Sequence, residues 1–254
     1  MEMSASDYIS SISASAISGL VLCLQGVPLD FVGAVSILNP VIETTINGIV
    51  SNIIKSKKLT KNECLRLGIS YKSTIDIINS KLNNSVELRD DCFFKGKEIS
   101  DASQILESTI KNILDDAEII KTMCYARFIS NIPFKNECST NALVALNSLI
   151  RQLSYRELCI IRWLHDVECY DSSDIENYNR CHYSVDVSVF FNQLCHLKSV
   201  GIIISYPPYR LSAFIGNLKL SQIGIQIYKM LELELIVEDD LVDIKAMMNT
   251  CKTK

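Results

Sequence analysis

Ile42, Ile46, Ile49, Val50, Ile53 and Ile54 recur at three- and four-residue intervals behind an Asn39-Pro40 pair, with Glu43, Asn47, Ser51 and Asn52 opposite. Spacing near 3.6 residues gathers the apolar side chains on one helical face. Asparagine followed by proline marks the start, because the amide side chain accepts free N–H groups and the ring's fixed φ suits a first turn. Such a helix has to bury its stripe against a second surface. With only nine glycines and five prolines in 254 residues, the chain is short of the residues that β-turns demand, so the expected class is mainly α.

The stripe belongs to an unusual N-terminal stretch. Residues 1–54 contain Glu2, Asp7, Asp30 and Glu43 but no lysine or arginine, and Tyr8 to Leu29 is a run of 22 uncharged residues. That length approaches a bilayer span. Serines at 10, 11, 15 and 18 fit a packed or interfacial helix equally well. Lys55, Lys57, Lys58 and Lys61 follow directly, which suits a helix C-terminus and also an anionic lipid surface. Ile42, Ile46, Ile49, Val50 and Ile53 with Lys55, Lys57 and Lys58 are therefore membrane-contact candidates. The other reading is an ordinary helical hairpin.

From Glu63 to Ile132 the helical period persists, interrupted near Gly96 and restarted by Ser100-Asp101. The second stretch reads as one helix running to Pro133. Residues 55–133 are thus expected to complete an N-terminal helical bundle with residues 1–54.

Beyond Pro133 the elements shorten. "STNALVALNSLIRQL" carries a Ser139 or Thr140 cap, Ser154 with Glu157 forms a capping box, and "SSDIENY" suits a turn of helix. Val185–Ser199 is a helix with Val189, Phe190, Leu194 and Leu197 toward a core and Gly201 as its stop. Two short strands, "GIIISY" and "FIGNLKLS", precede a helix capped by Ser221. That order over residues 139–231, closing on "NLKLSQIGIQIYKML", resembles a winged helix-turn-helix domain, an α domain with a small β-hairpin. Residues 232–254 remain as a C-terminal helix and tail.

Val185–Ser199 would be the reading helix of such a domain. Its polar residues Asn192, Gln193, His196 and Lys198, with Arg210 and Lys219 from the wing, are candidates for nucleic-acid or partner contact. Non-specific DNA affinity comes from cations that neutralise phosphate. Asp166, Glu168, Asp171, Asp174 and Glu176 precede this helix, and the net charge is −4, so local acidity disfavours DNA. A winged helix used as a partner surface is the blander reading.

Chemistry finds little footing. The sequence lacks GxSxG, GxGxxG and GxxxxGK[ST], which removes the usual nucleophile elbow and phosphate cradles. His165, Cys169, Cys181, His182, Cys195 and His196 offer zinc-type donors but no CxxC or HxxxH pair. Adjacent acids such as Asp90-Asp91 and Asp115-Asp116 splay apart on a helix. No enzyme, metal, cofactor or small-molecule substrate is expected. Ten scattered cysteines with no basic n-region before the apolar run suit a reducing, cytoplasmic setting. Trp163, the sole tryptophan, is expected in a core.

The arrangement as a whole, an apolar Gly/Pro-containing N-terminal segment, a hairpin ending in "YARFISNI", then "LSYRELCIIRWL" leading into a winged helix, resembles bacterial proteins near the abortive-infection alpha family. The resemblance implies anti-phage defence by a non-enzymatic protein that senses infection, holds a partner inactive or damages the membrane. It implies a protein partner or self-association, and peripheral contact with the inner membrane when the buried apolar hairpin opens. Two alternatives stand beside it: a winged-helix transcriptional regulator, and an interaction subunit of a neighbouring enzyme.

Overall fold

In the computed structural model the described residues are 39–94, 100–168, 170–171, 184–206 and 217–250. The apolar run 8–29, Gly96, "SSDIENY", Cys169, Cys181, His182 and Arg210 lie outside them. The described part is mainly α, with a small antiparallel sheet, and divides into two units between Gln152 and Leu153.

The first unit contains α1 (Pro40–Ser56), α2 (Lys61–Asn83), α3 (Asp101–Asp115), α4 (Thr122–Asn131) and α5 (Thr140–Gln152). Asn39 caps α1 as its sequence signals, its side chain accepting from Val41 N and Ile42 N with Pro40 inside the first turn. Ile42, Ile46, Ile49, Val50 and Ile53 are all buried. They face inward: Ile46 and Val50 line one small void together with Leu67, Leu106, Ile110 and Ile129 from α2, α3 and α4. Burying five such side chains is worth on the order of 10 kcal/mol against water, so in this closed arrangement the stripe is core. Helix α5, which the sequence pattern groups with the second half, packs on α3 of the first unit. Asn112 on α3 donates to Asn147 on α5 at 3.1 Å within that contact.

One expectation fails here. The continuous helix read through residue 132 is broken after Asp115, and only a 3-10 turn at Ile119–Lys121 precedes α4. Asp116 turns the chain by accepting Glu118 N at 2.9 Å on its own side chain. Arg66, from α2, closes the end of α3 by donating to the carbonyls of Ile113 and Leu114. The same Asp116 carboxylate binds the buried Lys121 ammonium at 2.8 Å and accepts the Tyr125 hydroxyl at 3.1 Å. Burial first, and then the Asp116 charge, push the Tyr125 phenol above its ordinary range.

Helix α2 opens with a capping box: Thr60 accepts Glu63 N, and the Glu63 carboxylate accepts Thr60 N at 2.7 Å and Lys57 Nζ at 2.8 Å. These donors, Lys57 foremost, lower the Glu63 carboxyl from its ordinary 4.5 to about 2. A depressed folded pKa contributes stability that is present above the unfolded value and is lost as pH falls from about 4.5 toward about 2. Glu63→Gln is therefore expected to lower the urea midpoint at neutral pH, with the gap to the parent closing across that acid window. A pH series of midpoints checks it.

The second unit contains α6 (Tyr155–Asp166), β1 (Tyr170–Asp171), α7 (Val185–Ser199), β2 (Ile203–Tyr206), β3 (Asn217–Leu220), α8 (Gln222–Met230) and α9 (Val242–Thr250). The strands run antiparallel in the order β1-β3-β2, with Ile203 opposite Leu220 and Tyr170 opposite Leu218. Strand β1 had no sequence signal, being two residues long. Helix α6 is the centre: Leu158, Ile160, Ile161, Trp163 and Leu164 are buried, and α6 touches α7, β3, α8 and α9. Arg162 fastens the chain after α8 by donating to the Glu234 carbonyl at 2.8 Å, to the Ile236 carbonyl and to Glu238 Oε1 at 3.0 Å. No helix among the described residues is long and apolar enough to cross a membrane.

Candidate functional site

Helix α7 is built from both ends. Ser184 caps it by accepting Val187 N, and the chain leaves through Gly201 at φ +76°, a left-handed conformation that glycine adopts freely. Val187, Phe190, Phe191, Leu194 and Leu197 are buried and fix the helix on the core. The expectation that Val189 faces that core is corrected: it is 43% exposed, and Val187 takes the inward place.

The polar residues of α7 divide in the same way. His196 Nδ1 lies 2.6 Å from Oε1 of buried Glu157, and Gln193 Nε2 donates to Ser154 Oγ at 3.4 Å. Glu157 is also the capping-box residue of α6, accepting Ser154 N at 2.7 Å. Gln193 and His196 thus tie α7 to the start of α6, and a side chain held in that network is not free to search base edges. The outward face is left with Val185, 78% exposed, together with Asp186, Val189 and Asn192. Val185, Val189 and Asn192 stand at i, i+4 and i+7, so they line up along one side.

The remaining candidates lie elsewhere. Lys198 is half-buried at the end of α7. Lys219 stands on β3 in the wall of a cleft of about 430 Å³, with Leu164, His165, Glu168, Ile204 and Leu220 among its lining residues. His165 stacks on Tyr228 at 3.6 Å between ring centres. No protein-family model matches this chain, and no curated protein and no solved structure matches it.

Among the described cysteines four are packing groups, and Cys92 is exposed. Cys64, Cys124, Cys138 and Cys159 are buried. Burial raises the thiols of Cys64, Cys138 and Cys195 and pushes Cys124 up to about 11, so they stay protonated at neutral pH. Among the described residues, no three His, Cys, Asp or Glu side chains come together as metal ligands.

The capping box of Ser154 and Glu157 is visible in the sequence. Its second use, as the partner of α7, is not, because Glu157 and His196 are 39 residues apart. Periodicity assigns Val189 to a core, and it gives Val185, the first residue of α7, no face of its own.

Proposed function

We propose that this chain works by binding another protein, with the outward face of α7 as a contact surface and the second unit as a winged-helix module turned to that use. The observation that supports this most is the division of α7: the Gln193 amide and the His196 imidazole are paired with Ser154 and Glu157, while Val185 and Val189 stand exposed beside Asp186 and Asn192. A DNA-reading helix requires the reverse, polar and cationic groups outward. Apolar side chains exposed along one helical side suit the core of a protein interface. The partner that fits is an apolar surface with an amide or cation near Asp186 and Asn192. Given the resemblance to abortive-infection alpha proteins, the setting we propose is anti-phage defence without catalysis.

Protection against phage tests it, comparing the parent with Val185→Asp/Val189→Asp at equal expression. Both positions are solvent-exposed, so the double variant is expected to keep its Tm. The parent is expected to lower plaque counts and the variant to return them to those of cells lacking the protein. A parent without effect removes the defence setting. A folded variant that protects as well as the parent removes the α7 surface.

A further inference from the structure

The corner between α1 and α2 concentrates positive charge as no other described segment does. Lys55, Lys57, Lys58 and Lys61 fall within seven residues and all are exposed. Glu63 is the only carboxylate between Glu43 and Asp76, and it is already bonded to Lys57 and to Thr60 N. The corner is also held in shape: Leu59 is buried at its middle, Lys57 N donates to the Ile53 carbonyl, and the Thr60–Glu63 capping box fixes the start of α2. Cations further along α2 are engaged internally, Arg66 on the end of α3 and Lys72 on Asp76.

Local stability accounts for only part of this. Lysines at 55 and 57 complement the negative end of α1. Lys61, in contrast, is the first residue of α2, where the helix dipole is positive and a cation is unfavourable. An external anion gives that lysine a role.

We propose that residues 55–61 are an electrostatic docking site for an anionic lipid surface, engaged while the isoleucine stripe of α1 remains buried. The inference is independent of the α7 reading. All four cations are lysines, compact charges on flexible stems that match a diffuse layer of headgroups. No aromatic residue or arginine occurs from residue 44 to 65 to stack on bases or to clamp a phosphate in two-point fashion, as recognition of nucleic acid favours. With the stripe buried, no apolar insertion contributes, and attachment is reversed by salt.

Co-sedimentation of the full chain with phosphatidylcholine vesicles, with and without phosphatidylglycerol, tests this. Binding is expected only to the anionic vesicles and is expected to vanish at high salt. Lys55→Gln/Lys57→Gln/Lys58→Gln/Lys61→Gln is expected to weaken it at least tenfold, given roughly fivefold per cation near an anionic surface. The corresponding four arginine substitutions are expected to retain it, which separates charge from fold. Equal binding to neutral vesicles, salt-resistant binding, or an unchanged glutamine variant would overturn the proposal. Displacement from the vesicles by duplex DNA at equal phosphate concentration would overturn it in favour of nucleic acid.

Discussion

Ile46→Asp is expected to unfold the first unit, at a cost of about 4 kcal/mol or more. Ile46 is buried among Val50, Leu67, Leu106, Ile110 and Ile129, and the void beside it measures only about 10 Å³. That is room for at most one water molecule. The substitution removes an apolar side chain and puts a carboxyl where it cannot be hydrated, so the contact of α1 with α3 has no way to persist. Urea unfolding followed by circular dichroism should show a large share of the helical signal lost before denaturant is added. A midpoint within experimental error of the parent would mean that the stripe is not core, and would return it to the role of a surface open to lipid. The same consideration bears on membrane contact: lipid insertion of these isoleucines requires α1 to leave its unit, whereas docking through the lysines does not.

Gly224→Ala carries the second large effect, about 3 kcal/mol. A Cβ at this position would stand 2.5 Å from the Ile202 carbonyl oxygen and 3.3 Å from Leu220 Cβ. The obstacle is backbone, which cannot swing aside as a side chain does. That same carbonyl accepts Ser221 N at 2.9 Å, and Ser221 caps α8 by accepting Gly224 N while donating to the Gly201 carbonyl at 2.6 Å. Relieving the clash therefore means moving α8 away from β3 or giving up the bonds of its cap. Trp163, buried in α6 of the same unit, is the only tryptophan and reports this transition by fluorescence. Its thermal midpoint should fall by more than about 10 °C. A shift near zero would show that α8 does not approach β2 and β3 as closely as described.

Much of the helical layout was legible because helix ends are chemically local. Asn39-Pro40, Ser100, Ser154 with Glu157, and Ser221 each act within three residues of themselves, and such signals need no knowledge of the fold. Gly201 stops α7 for the same reason. The break at Asp116 was not legible, since it depends on Arg66 arriving from 47 residues away to take the carbonyls that end α3. Nor was the partner of α5: an apolar face states that it needs burial, without stating against what.

The candidate site shows the same limit. Asn192, Gln193 and His196 look alike in sequence as polar residues on a helix, and only the approach of Ser154 and Glu157 separates the engaged from the exposed. The isoleucine stripe was read correctly as one helical face, and its spacing could not distinguish a neighbouring helix from lipid.

Fluorescence anisotropy of a labelled random-sequence duplex, titrated with the full chain between about 50 and 200 mM salt, tests the reading of α7 most directly. With Gln193 and His196 paired to Ser154 and Glu157 and valines outward, the expected result is no saturable binding at the upper end of that range. Saturable binding there, steep in salt and lost on Asn192→Ala, would contradict it and make α7 a nucleic-acid reader.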